Sequence, residues 1–232
     1  MISWTLPRFS AAATRWGPRQ LSRSLSAAAV APEDYVPHHI TARAEDMAGN
    51  GKAGRYWLVP GSMERAADLA QNFDDVVVRE SGRGHHVHIG RLARPVDATG
   101  RAQQPVDVGV VSTGMGCPTV DIILTELIRL GAKRLIRIGS AGSLQPHRGI
   151  GVGTLVVATG GVRDEGTSRN YAPMEFPSVA SPLIVEALQS AAVELGPAVS
   201  EKTFTGLIHS KDSLMAREFH EGGMGLEHKV CR

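Results

Sequence analysis

Residues 106–145, VDVGVVSTGMGCPTVDIILTELIRLGAKRLIRIGSAGSLQ, constrain the fold more than any other stretch of the chain. They open at 106–111 with a short apolar run rich in valine, which fits a buried strand. A turn follows at Ser112-Thr113-Gly114-Met115-Gly116, where glycine admits backbone angles that side chains avoid. Pro118 suits a first helical position, because the N–H it lacks would have had no partner there. Val120, Ile123, Leu124, Leu127 and Leu130 then recur at helical spacing, and Gly131 supplies the stop. A second apolar run at 134–138 ends in Gly139-Ser140-Ala141-Gly142. Strand, crossover helix, strand is the pattern of a parallel βαβ unit. Ligands of such sheets gather at the carboxyl ends of the strands, so 112–116 and 139–142 are expected to line one crevice.

Arg137 is the odd residue of that unit. A guanidinium inside an apolar strand is costly unless it meets an anion, and either a protein carboxylate or a bound oxyanion would serve. The small and hydroxyl residues three positions on leave backbone N–H groups open, which favours the oxyanion.

At 232 residues and 42% hydrophobic content, the chain suits one α/β domain with a sizeable core. No apolar run approaches the length of a membrane span. Two cysteines, Cys117 and Cys231, make no disulfide framework, which points to a reducing compartment. The first 32 residues differ from the rest. They carry Arg8, Arg15, Arg19 and Arg23, several Ser and Ala, and no acid before Glu33, the composition of an organellar transit peptide, for a mitochondrion in preference to a plastid. The alternatives are a disordered tail and a cytoplasmic protein. Without these four arginines the formal net charge falls from +2 to −2, so the basic balance belongs to the leader and does not argue for nucleic acid.

The folded part is expected over 38–221, with an unstructured tail at 222–232. Residues 56–59 form a strand, Pro60-Gly61-Ser62 breaks it, and Ser62 can cap a helix whose apolar face is Met63, Ala66, Ala70 and Phe73. Strand, glycine and helix start form an anion-binding arrangement, and Arg65 in the first helical turn opposes the helix dipole unless an anion stands before it. Val76-Val77-Val78 is another strand, and Arg83-Gly84 lies in the turn before a strand at 85–89. His85, His86 and His88 lack a Cys or carboxylate to complete a metal site and are read as exposed strand histidines, so no metal is expected. Residues 91–105 read as hairpin or loop. A strand at 154–158 ends at Gly160-Gly161, and 162–177 is polar and irregular, either a site loop or a surface one. A helix starts at Ser181-Pro182 and stops at Gly196-Pro197, and 203–208 is the last clear strand.

Together these pieces resemble the uridine phosphorylase branch of the nucleoside phosphorylase superfamily. The resemblance runs from about His39 to Glu218 and rests on Val59-Pro60-Gly61, the 112–116 turn, Arg137-Ile138-Gly139-Ser140-Ala141-Gly142 and Lys211-Asp212-Ser213. It implies a three-layer α/β/α fold with a central twisted mixed sheet, and reversible phosphorolysis of uridine or a related nucleoside without an organic cofactor. By the same resemblance Gly61, Arg65, Arg137 and Ser140 hold phosphate, with Arg65 and Arg137 carrying the catalysis. Arg83 and His39 come from a neighbouring subunit of a dimer or ring of dimers, Arg83 to the phosphate and His39 to the ribose 5′-hydroxyl. Gly142, Arg217 and Glu218 are the base-binding candidates.

Three departures from the family pattern accompany the resemblance. Gly84 stands where relatives often have a carboxylate associated with a monovalent cation, so the resemblance does not extend to that ion. Leu214-Met215-Ala216-Arg217-Glu218 replaces a region usually holding Gln and Arg, which leaves the accepted base open. The later Met-Glu-Met-Glu-like segment, whose glutamate binds the ribose hydroxyls, is not found. The chain as written is therefore expected to be missing its last elements and to turn over uridine poorly, with a loss on the order of 2–3 kcal/mol or roughly a hundredfold in rate. A truncated, non-catalytic family member and a purine phosphorylase or nucleosidase of the same superfamily are the competing readings. A dinucleotide-binding protein is weaker, because Gly114-Met115-Gly116-Cys117-Pro118-Thr119 lacks the third glycine.

Overall fold

The computed structural model describes residues 31–94 and 101–218. Most of the expected leader and the expected tail at 222–232 lie outside the described residues. Strands β1 (Tyr56–Pro60), β2 (Asp74–Arg79), β3 (Val87–Leu92), β4 (Val106–Val111) and β5 (Arg134–Ile138) form one sheet. Its order is β2-β3-β4-β1-β5. The central strand β1 runs parallel to β4 and β5, whereas β3 is antiparallel to both β2 and β4, so the sheet is mixed. A second, three-stranded sheet holds β6 (Leu155–Asp164), β7 (Ser178–Val179) and β8 (Thr203–Lys211) in the order β7-β6-β8. The helices are α1 (Met63–Ala70), α2 (Cys117–Arg129), α3 (Pro182–Glu194), and the short α4 (Pro197–Ser200) and α5 (Met215–Glu218).

Alternation along β1 builds the layers. Trp57 and Val59 face one way and pack with Val87, Ile89, Val111 and the α2 residues Ile123, Leu127 and Leu130. Tyr56 and Leu58 face the other way, with Val108, Val110, the α1 residues Ala66 and Ala70, and Phe73. Helices α1 and α2 therefore cover opposite faces of the first sheet, the expected three-layer arrangement. The crossover through α2 is as the spacing predicts, with Pro118 at its start and Gly131 at φ +105° just beyond its end. Ser62 caps α1 by accepting the Arg65 N–H at 2.9 Å.

The structure corrects several sequence expectations. Strand β3 begins at Val87, so His85 and His86 precede it, and it extends through Leu92 into the expected loop. Strand β6 runs on through Gly160 and Gly161 to Asp164, with a register shift between Ala158 and Gly160. These glycines do not break the strand; Gly160 lets the Ser178 carbonyl of β7 approach within 2.6 Å of where a Cβ would stand. Met63 is 52% exposed and does not join the core face of α1; its sulfur lies against Gly84 instead. Among the described residues no helix is long and apolar enough to cross a membrane.

Candidate active site

The carboxyl ends of β1, β4 and β5 lie side by side, as the βαβ pattern predicts. The turn after β4 is stitched to the turn after β1: the Thr113 N–H donates to the Pro60 carbonyl at 2.8 Å and the Gly114 N–H to the Gly61 carbonyl at 3.0 Å. Val59 and Pro60 pair in register with Arg137 and Ile138, which sets the Arg137 side chain beside the β1 end.

Two guanidinium groups meet at this edge. The Arg137 Nη1 donates to the Val59 carbonyl at 2.8 Å and to the Ile138 carbonyl at 3.2 Å. Its other terminal nitrogen, Nη2, lies 3.2 Å from where a Cβ on Gly61 would stand. Arg65, in the first turn of α1, is near enough to Arg137 to act on it electrostatically. Desolvation of the hemmed-in guanidinium, and then repulsion from Arg65, lower the Arg137 pKa from its ordinary value. Arg137 as a residue is exposed, not buried in the strand as the apolar pattern implied. Among the described residues, no carboxylate forms an ion pair with Arg65 or Arg137. Like charges brought near one another without a counter-charge among the described residues are unfavourable unless an anion joins them, and planar guanidinium groups suit an oxyanion with paired oxygens.

Gly61, Arg65 and Arg137 thus come together. Ser140 and Gly142 are exposed in the segment that follows β5, at the same sheet edge, without a hydrogen bond to the arginine pair. The side chains of Arg217 and Glu218 lie outside the described part of the structure.

A cavity of about 270 Å³ opens elsewhere, lined by Cys117, Asp121, Arg163, Glu165, Thr167 and Tyr171 among others. Its charged groups are already engaged. Arg163 donates to Ser168 Oγ and to the carbonyls of Ser168, Ala172, Pro173 and Phe176, which makes it the organiser of this loop. Glu165 accepts the N–H groups of Thr167 and Ser168, and Asp121 accepts the Tyr171 hydroxyl. Chemistry therefore favours the open arginine pair over this hollow.

His39 and Arg83 are joined through residues that the sequence pattern does not single out. Glu126, on the inward face of α2 and 4% exposed, accepts the backbone N–H groups of His38, His39 and Ile40 at 2.9–3.2 Å. It also binds the His39 Nδ1 at 2.7 Å. Burial by itself would raise the Glu126 pKa, but the His39 ring and the three amides together hold it below the ordinary carboxylate value. Buried Ser81 donates its hydroxyl to the His39 carbonyl at 2.9 Å and accepts the Arg83 N–H at 3.3 Å. Arg83 itself is exposed. One signal was available: Glu126 is an acid at a core position of an apolar helix face, where charges are rare unless paired.

The histidines before β3 are not exposed strand residues. His86 accepts the Ser81 N–H through its Nδ1 at 3.0 Å. His85 bonds Ser112 Oγ at 2.9 Å, and its ring lies 3.5 Å from where a Cβ on Gly114 would stand. Both are half-buried and serve the turn that presents Arg83 and the wall beside Gly114. Among the described residues no group of three or more His, Cys, Asp or Glu side chains is placed to hold a metal ion.

Comparison with known proteins identifies the family. The family model described as "Phosphorylase superfamily" matches residues 55–221. The chain is 36% identical over 176 residues to the uridine phosphorylase of Treponema pallidum, covering 76% of this chain and 59% of that one. It is 35% identical to the uridine phosphorylase of Thermococcus kodakarensis over 164 residues, 71% of this chain and 52% of the relative. It is also 34% identical to the guanosine phosphorylase of Halorubrum lacusprofundi over 151 residues, 62% of this chain and 56% of the relative. The chain thus spans between half and three fifths of the length of these relatives.

Proposed function

The chain belongs to the phosphorylase superfamily, and from that premise we propose that it catalyses reversible phosphorolysis of uridine or a related nucleoside. The observation that carries this reading is the Arg65–Arg137 pair beside Gly61, two cations at one sheet edge without a carboxylate partner among the described residues. In the reaction a phosphate oxygen forms a bond to C1′ while the C1′–N bond breaks. The base leaves with the bonding electron pair and takes up a proton, and ribose 1-phosphate remains.

Arginines fit this chemistry in two ways. They fix the phosphate against the sugar, which converts an encounter into a local reaction. The bound anion also stabilises the positive charge that develops on the sugar. Gly61, Arg65, Arg137 and Ser140 are the phosphate ligands in this proposal, with Gly142, Arg217 and Glu218 toward the base. His39 and Arg83 act in the site of a neighbouring copy, His39 on the ribose 5′-hydroxyl and Arg83 on the phosphate, so the working form is a homo-oligomer. The chemistry calls for neither an organic cofactor nor a metal. The leader is proposed to direct import into a mitochondrion.

The uridine phosphorylases of Treponema pallidum and Thermococcus kodakarensis support uridine as the substrate. The guanosine phosphorylase of Halorubrum lacusprofundi supports the same chemistry on a purine nucleoside as the second reading. The test is release of free base from uridine and from guanosine, each with and without phosphate. Release that requires phosphate and yields ribose 1-phosphate supports the proposal. Release at an equal rate in phosphate-free buffer would make the protein a hydrolase and overturn it.

A further inference from the structure

Burying an acid in a helical core position is unfavourable unless each of its lone pairs is used. Glu126 uses them on a segment 86–88 residues away: three consecutive backbone N–H groups and one imidazole converge on its two oxygens. An apolar residue would fill the space but would leave the amides of His38, His39 and Ile40 without these partners. The carboxylate therefore fixes the path of that segment, and it also fixes a proton. An ionised carboxylate only accepts hydrogen bonds, so His39 must carry its hydrogen on Nδ1. In the neutral ring the lone pair is then on Nε2, which has no partner among the described residues, on a side chain that is 31% exposed.

The second joint is Ser81, 6% exposed. Its single hydroxyl donates to the His39 carbonyl and accepts from the Arg83 N–H. The Gly84 N–H closes the same turn on the Ser81 carbonyl at 2.9 Å, and Gly84 takes φ +82° with the Met63 sulfur against it. A side chain at Gly84 would meet both strain and Met63, so the turn that carries Arg83 is tied down on both sides.

We propose that Glu126 and Ser81 are positioning residues that hold His39, as the Nδ1–H tautomer, and the Arg83 turn as one unit for delivery into the site of a second copy. This rests on the function proposed above, in which His39 and Arg83 serve a neighbour. His39 Nε2 then accepts a hydrogen bond from a substrate hydroxyl, and Arg83 meets phosphate. The two groups arrive in fixed relation because one buried hydroxyl spans their backbones.

The experiment combines ring NMR with kinetics on the full chain and its Glu126→Gln and Ser81→Ala variants. Long-range ¹⁵N–¹H spectra report the His39 tautomer without any need for turnover. The wild type is expected to show Nδ1–H, and Glu126→Gln to lose it. Kinetically, Glu126→Gln should lower kcat/KM for uridine by about tenfold, with 5′-deoxyuridine changed by less than about twofold, because only uridine carries the hydroxyl that His39 meets. Ser81→Ala should raise the KM for phosphate several-fold with kcat little changed. An Nε2–H tautomer in the wild type overturns the inference, as does an equal loss on both nucleosides in a folded Glu126→Gln protein. If Glu126→Gln does not fold, Glu126→Asp and the wild-type tautomer decide the point. A wild type that releases no base from any nucleoside contradicts the proposed function instead, and the tautomer then decides the positioning role by itself.

Discussion

Gly61 leaves the room that the Arg137 guanidinium occupies. A Cβ built on Gly61 would stand 3.2 Å from Arg137 Nη2 and 3.4 Å from the Gly114 carbonyl oxygen. The nearer atom is the end of a flexible side chain, so a methyl group there displaces the guanidinium and leaves the fold in place. Gly61→Ala is expected to melt within a few degrees of the wild type yet bind phosphate about tenfold more weakly, the loss expected of a misaligned charged hydrogen bond. Calorimetric titration with phosphate checks this, and an unchanged affinity would contradict it.

Gly109 plays the corresponding part for the core. It pairs with Trp57 in register, and a Cβ there would stand 2.6 Å from the indole Cζ3 of a fully buried ring. Trp57 is fully buried, so Gly109→Ala is expected to cost about 1–3 kcal/mol by overpacking. Urea denaturation measures it, and a midpoint equal to the wild type would show that the sheet accommodates the methyl group.

Stability should fall in acid through Glu126. Its folded-state pKa lies below the ordinary value, because the hydrogen bonds from His39 and the three amides outweigh burial. The stabilisation is therefore complete above the ordinary glutamate pKa of about 4.3 and is lost as pH falls through the folded-state value. Glu165 is depressed in the same way: burial would raise it, but the hydrogen bonds from Ser168 and Thr167 prevail. Melting temperature against pH should drop below about pH 4 in the wild type and drop less steeply in Glu126→Gln, with Glu165 accounting for part of what remains. Parallel curves for the two proteins would remove Glu126 from the explanation.

The first sheet was legible because its signals are local. Helical spacing from Val120 to Leu130, glycine at 131 and the apolar runs on either side announce the crossover, and the crossover places 112–116 and 139–142 at one edge. The Arg65–Arg137 meeting was legible from the family resemblance and from the oddity of each arginine in its own element. Glu126 was not, because its role depends on a segment some 86 residues earlier folding back over α2. The histidines misled for a related reason. A run of alternating residues reads as strand, but Gly84 at φ +82° delays β3 to Val87 and turns His85 toward Ser112 and His86 toward Ser81. Gly160 and Gly161 read as a strand end, whereas in the fold they are where a neighbouring strand comes close.

The most direct test of the central claim is equilibrium binding of inorganic phosphate to the wild type and to Arg137→Ala. Arg137 donates to protein carbonyls only, so its loss removes no ion pair to a carboxylate among the described residues, and the variant is expected to fold. Relative to the wild type, Arg137→Ala should bind phosphate at least about tenfold more weakly, as fits the loss of a charged, bidentate partner. Undiminished phosphate affinity in a folded Arg137→Ala protein would contradict the assignment of this edge as the phosphate site.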